Sequence, residues 1–180
     1  AQVKELREKR IKMVPVLDEN HRIVRLADLN GSRSLLPLDA VMMAGGKGER
    51  LRPLTEKMPK PLLKVGDKPI LEHNIDHLAS FGIERFFIAV NYLGDMIKDY
   101  FGDGSSKGIQ IEYINESRPL GTLGAVSTVG NFAYNNLLVM NADILSDINI
   151  EDFYNDFEQQ NAMMSVASVP YKVNMPFAVL

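Results

Sequence analysis

From Val41 the chain reads Val-Met-Met-Ala44-Gly-Gly-Lys47-Gly-Glu-Arg50-Leu-Arg-Pro-Leu-Thr-Glu-Lys-Met-Pro-Lys60-Pro-Leu-Leu63, a hydrophobic strand running straight into a glycine turn with spaced cations behind it. Gly45, Gly46 and Gly48 let the backbone turn tightly and aim several amide donors at one anion, which side chains at those positions would resist sterically. Arg50 and Lys60 add full positive charge. The pattern suits the phosphates of a nucleoside triphosphate, with Ala44, Gly45, Gly46 and Gly48 forming the cradle.

What surrounds the turn points to an α/β fold. Short apolar runs at 40–44, 85–91, 109–114, 137–140 and 163–169 are predicted strands, and they alternate with helix-like stretches. The run Pro69 to Ser80 carries proline at a plausible first helical position and Gly82 just past its end, while 93–101 and 121–128 read as shorter companions. A mostly parallel, three-layer, Rossmann-like sheet follows. In such sheets the ligand crevice lies beyond the carboxyl ends of the strands, where the glycine turn, Glu116 and Asp143 would all fall.

Two familiar glycine motifs do not fit. A Walker loop requires Gly-Lys-Ser/Thr opening a helix, and here Gly48 is followed by Glu49 and Arg50. A dinucleotide fingerprint requires Gly-x-Gly-x-x-Gly and an acid at the end of the second strand, where this chain has Asn91-Tyr92.

Composition narrows the classes further. The chain has 180 residues, a formal net charge of −3 and no cysteine. Without a broad basic field, the cations between Lys47 and Lys64 mark a local anion site rather than a nucleic-acid surface. Lack of cysteine removes disulfides and thiolate chemistry, which suits a reducing cytoplasm, and no apolar run has the length of a membrane span. His73 and His77 lie four apart on the predicted helix without an evident third ligand, so packing is favoured over metal binding.

Residues 1–36 have a different character. A charged run from Lys4 to Lys12 precedes Met13 to Leu17, a turn at Asp18-Glu19-Asn20, and Ile23 to Leu26, which reads as helix, strand, turn, strand. The phrase Val14 to Asn20 with Arg22-Ile-Val24 resembles the closing half of a CBS domain, a module that binds adenine nucleotides when paired; Arg25 stands where that pattern usually has glycine. The linker is expected from Asn30 to Pro37, ahead of a second unit over 37–180. A plain N-terminal extension packing on the main domain is the alternative.

The segment from Gly45 to Thr55, with Pro59-Lys60-Pro61-Leu62, resembles the signature of the sugar nucleotidyltransferases. The resemblance runs from about Leu38 onward, departs at Glu49 where the family commonly has Thr, and extends through Pro119-Leu-Gly-Thr122 to the mannose 1-phosphate guanylyltransferases. It implies a reaction in which a sugar 1-phosphate oxygen attacks the α-phosphorus of a triphosphate and pyrophosphate leaves. Arg50 and Lys60 would neutralise the phosphates, Asp143 of Asn141-Ala-Asp143 would hold Mg²⁺, with Asp147 a weaker alternative, and Glu116, Gly121 and Thr122 would contact the nucleotide. Guanine offers two adjacent donors that one carboxylate can accept together, whereas uracil and thymine suit Gln, so Glu116 favours GTP over dTTP or UTP. The resemblance also implies that family members continue beyond Leu180 with a second metal-binding acid and most sugar contacts. A silent nucleotide-sensing subunit and an assembly module, the latter compatible with a homo-oligomer, stand as rival classes. On simpler readings Glu116 is a solvated loop acid, and Asp143 caps the region from Asp147 to Phe157 or solvates the end of its strand.

Overall fold

In a computed structural model, which describes residues 6, 11, 13–28, 34–116, 121 and 123–169, four of the five predicted strands form one parallel sheet. The chain order is β1 (Met13–Leu17), β2 (Ile23–Asp28), β3 (Leu38–Met43), β4 (Lys64–Val65), β5 (Lys68–Pro69), α1 (Ile70–Ser80), β6 (Arg85–Val90), α2 (Gly94–Phe101), β7 (Gln110–Asn115), β8 (Asn136–Asn141) and α3 (Ile150–Gln159). The main sheet runs β7-β6-β3-β8, with every neighbouring pair parallel. β3, which feeds the glycine turn, is therefore central, and its side chains are buried on both faces, as expected for a parallel strand.

Alternation along the strands divides the core in two. Leu38, Ala40 and Met42 of β3 join Phe86, Ile88 and Val90 of β6 in a cluster with Leu71, Ile75 and Leu78 of α1, Ile97 and Phe101 of α2 and Ile150 of α3. The opposite face is closed by the segment leading into β8: the Phe87 and Phe132 rings meet edge to face at 5.1 Å, and the Ala133 amide donates to Asp39 Oδ2 at 2.6 Å. Asp39 is fully buried, and its Oδ1 has no hydrogen-bond partner among the described residues.

Three local expectations change. Residues 163–169, predicted as a strand, form none: Met163 and Val169 stand 103% and 88% exposed. An apolar run becomes a strand only where a ladder partner meets it, and among the described residues 163–169 meets none. The helix predicted over 121–128 is a 3-10 turn, Gly124–Thr128. α3 is an addition to the predicted elements, although Asn149 accepts hydrogen bonds from the Glu151 and Asp152 amides as an N-cap does. For α1, Pro69 lies one residue ahead of the first turn rather than inside it.

β1 and β2 pair antiparallel around Asp18, whose Oδ1 accepts from the Asn20 and Arg22 amides at 2.9 Å each. The predicted helix before them lies outside the described residues apart from Leu6 and Ile11. The second half of the expected linker is packed: Ser34 and Leu36 are buried, and the Leu36 amide donates to Phe81 O at 3.0 Å.

A charge network clasps α1 to the turn after α2. Lys107 Nζ bridges Glu72 Oε1 at 2.7 Å and Asp76 Oδ1 at 2.8 Å, Lys68 reaches Asp76, and Tyr100 donates to Glu72. Burial pushes both carboxyls up, but the hydrogen bonds from Lys107, joined by Tyr100 at Glu72 and Lys68 at Asp76, outweigh it and hold both below the usual range. Their contribution is thus fully present above the unfolded carboxylate values and is lost as pH falls through the folded ones. Lys107→Ala is expected to lower the melting temperature by roughly 2–4 °C at neutral pH. Melts in acid should show that difference closing below about pH 4; a gap that persists there would mean that Lys107 acts by packing.

Candidate active site

The register of the sheet assembles the site. Met43 lies opposite Ala89 and Asn141, and Ala89 opposite Ile114. Continued two residues further, these rows bring Gly45, Asn91, Glu116 and Asp143 to one line along the carboxyl edge. The line is held by ladder bonds beyond the strand ends: Ala44 N to Ala89 O at 2.8 Å, Glu116 N to Val90 O at 3.0 Å and Ala142 N to Met43 O at 3.0 Å.

Within that edge the three glycines of the turn serve different needs. A Cβ at Gly45 would lie 2.6 Å from Glu116 Oε2 and 3.3 Å from Asn91 Cβ, so the glutamate carboxylate sits where any side chain would be. Gly48 has φ 63° and caps the turn Glu49–Leu51; a Cβ there would meet Thr55 Cγ2 at 3.0 Å and Lys60 Cβ at 3.2 Å. A Cβ at Gly46 would meet nothing within 4 Å, which leaves open space in front of the turn.

The loop beyond is fixed by Thr55, 1% exposed, whose hydroxyl donates to Gly48 O at 2.9 Å. It returns at Lys60–Leu62, whose Pro61 and Leu62 are buried and anchor Lys60 at the mouth. Lys60 Nζ donates to Asp143 Oδ2, joining the phosphate loop to the end of β8; each side chain is 31% exposed. Asp143 is held from behind, since the Asn74 amide of α1 donates to Ala142 O at 3.3 Å. Arg50 is exposed and has no side-chain partner among the described residues. Glu49 leans 3.9 Å from Arg52, an exposed pair, rather than across the turn.

Of the residues singled out from sequence, Ala44, Gly45, Gly46, Gly48, Lys60, Glu116 and Asp143 come together on this edge. Gly121 has φ 76° with open space around it, and Thr122 lies outside the described residues. The structure adds Thr55, Asn91 and Tyr92, which sequence reasoning misses. Asn91 Nδ2 donates to Glu116 O at 2.6 Å and Tyr92 OH to Glu56 O at 3.1 Å. The signal for these two is position: both follow directly on β6 at the ligand edge. His73 and His77 donate from Nε2 to Val65 O and Ile148 O at 2.8 and 3.0 Å and hold loops in place. Among the described residues no three His, Asp or Glu side chains group as a metal cage, and no helix is long and apolar enough to cross a membrane.

A parallel sheet in this order, with a glycine turn leaving its central strand, defines a Rossmann-like α/β domain with a ligand crevice at its carboxyl edge. The chain belongs to the nucleotidyl transferase family, whose family model matches residues 39–178. It is 41% identical over 125 residues to mannose-1-phosphate guanylyltransferase of Mycobacterium tuberculosis, covering 69% of this chain and 34% of that protein. Among solved structures, a Bacillus anthracis protein described as a glucose-1-phosphate thymidylyltransferase superposes with a TM-score of 0.59 at 28% identity, covering 68% of this chain and 51% of that one. HddC of Yersinia pseudotuberculosis, solved with GMP-PN, gives 0.57 at 27% identity, covering 67% and 54%. The chain thus spans a third to a half of the length of these relatives.

Proposed function

We propose that this domain transfers a nucleoside monophosphate, from GTP in preference to other triphosphates, to a sugar 1-phosphate. The observation that carries the reading is the Glu116 carboxylate lying over Gly45, at the root of the glycine turn, where a base would meet it while the phosphates run on past Gly46. A sugar 1-phosphate oxygen forms the new bond to the α-phosphorus as the bond to the β-phosphate breaks and pyrophosphate leaves. The protein's work is then positioning and charge neutralisation. Arg50 suits the leaving pyrophosphate, because its planar fork can bridge two oxygens. Lys60 gives a point charge at the reacting phosphates, and the glycine-turn amides cover the oxygens between.

The donor set at Asp143 fits Mg²⁺, which takes one or two carboxylates and completes its shell with phosphate oxygens and water. When bound, the ion would neutralise charge on the α-phosphate. The second reading within the family is a dTTP- or UTP-dependent enzyme, favoured by the likeness to the Bacillus protein. For the β1–β2 hairpin we propose the closing half of a CBS module, supported by its exposed Met13, Leu17, Ile23 and Leu26; a complete pair would take an adenine nucleotide.

Calorimetric titration with GTP, dTTP, UTP and ATP in Mg²⁺ tests the base assignment. GTP is expected to bind tightest, and Glu116→Gln to lower the GTP-to-UTP affinity ratio by about tenfold or more. Equal binding of all four by the unaltered chain would sink the guanine reading and leave the family reaction.

A further inference from the structure

Of the four residues in line along the carboxyl edge, Asn91 alone has no part in the reaction proposed above. We propose that Asn91 is a positioning residue for base selection and that Tyr92, next to it, positions the phosphate loop. The proposal rests on Glu116 reading the base.

The physical reason lies in where the sheet stops. Up to Val90, β6 serves β7 with backbone groups, and the last such bond holds the Glu116 amide to Val90 O at 3.0 Å. Beyond it β6 turns away: Leu93 takes a left-handed φ of 51°, and the Gly94 amide bonds back to Asn91 O at 3.2 Å. Among the described residues no backbone amide of the departing strand donates to Glu116 O. The Asn91 side chain supplies that donor at 2.6 Å, so both peptide groups of Glu116 are pinned to β6. Pinned in this way, the residue projects its carboxylate over Gly45.

The same corner reaches the phosphate side. Tyr92 OH bonds Glu56 O in the loop between Arg50 and Lys60. A left-handed leucine costs on the order of 1 kcal/mol, and such strain persists where the surroundings over-determine it. Here Gly94 packs so closely on Val90 that a Cβ would fall 2.9 Å from the Val90 Cβ, which leaves the turn little freedom. The corner therefore links the element that selects the base to the loop that grips the phosphates.

The two side chains predict different signatures in the affinities of the chain for Mg²⁺·GTP and Mg²⁺·UTP. Asn91→Ala is expected to lower the GTP-to-UTP ratio by roughly three- to tenfold with UTP affinity nearly unchanged. Asn91→Asp, nearly isosteric but without the donor, should lower it at least as far. Tyr92→Phe is expected to weaken both nucleotides alike and keep the ratio. Melts of each variant report the fold separately. If Glu116→Gln collapses the ratio while both Asn91 variants preserve it, or if Asn91→Ala weakens both nucleotides equally, the positioning role is overturned. If Glu116→Gln itself leaves the ratio untouched, the base-reading role of Glu116 has failed, and this inference falls with it.

Discussion

Lys60→Ala is expected to lower nucleotidyl transfer by about a hundredfold or more, read as pyrophosphate released from Mg²⁺·GTP with a hexose 1-phosphate. Lys60 and Asp143 face each other across the crevice, 83 residues apart in the chain. On the proposed reading, an entering triphosphate would draw the ammonium to its oxygens and leave the Asp143 carboxylate to hold Mg²⁺. Removing Lys60 both deletes a cation and leaves the Asp143 charge uncompensated beside the polyanion. Two unit charges about 4 Å apart interact by roughly 4 kcal/mol at an effective dielectric constant near 20, so the combined loss is ample for the expected effect. Stability should hardly move, since a pair this exposed contributes less than about 1 kcal/mol. Asp143→Asn should also cost turnover, and in titrations it should flatten the dependence of nucleotide affinity on Mg²⁺ concentration. The double variant should lose less than the product of the single effects, because the two groups share one task. A Lys60→Ala protein within about threefold of the original rate would place the phosphate contact elsewhere in the crevice.

The legible parts of this site are the local ones. A glycine turn declares itself by residue type, and Lys60 is placed by prolines on both sides of it, so the phosphate loop can be read from 41–63 alone. The line of Gly45, Asn91, Glu116 and Asp143 depends on the relative register of β3, β6, β7 and β8. One residue of slip would turn each side chain to the other face, and nothing in the individual segments states the register. For that reason Asn91 and Tyr92 stand out in the sequence only as the place where an acid is missing. The same distinction explains the strands. Residues 85–90 and 163–169 are both apolar runs, but Phe86 and Ile88 meet α1 and α2 on a paired strand, while Met163, Val166 and Val169 are exposed and pair with no strand among the described residues. α3 carries both signs of a helix, apolar Ile150, Phe153, Tyr154 and Phe157 at i, i+3, i+4 and i+7 and the Asn149 cap ahead of them, and sequence reasoning passes over it by going from the acids at Asp143 and Asp147 straight to the run at 163–169.

Alanine at each of the three glycines is expected to give three separate outcomes, although sequence alone treats them as one cradle. Gly48→Ala should be the most damaging to the fold. It forces a side chain into the left-handed region at about 1–2 kcal/mol and puts a Cβ against Thr55 and Lys60, both held in place by the loop that buries Leu62. A total loss of roughly 2–4 kcal/mol follows, visible as a lower denaturant midpoint with an unchanged slope. Gly45→Ala adds a methyl group 2.6 Å from a carboxylate at the end of a flexible side chain, so Glu116 can swing aside. Stability should fall by only about 1 kcal/mol, but base preference should be lost with the glutamate's position. Gly46→Ala meets nothing within 4 Å, and stability should stay within about 0.5 kcal/mol, while the methyl group occupies the space in front of the turn. Nucleotide affinity should then drop for every base alike, by about tenfold or more if backbone amides there contact phosphate. Chemical denaturation and nucleotide titration of the three variants read the two effects independently. Unaltered nucleotide binding by Gly46→Ala would move the phosphates off the glycine turn, and with them the assignment of the crevice.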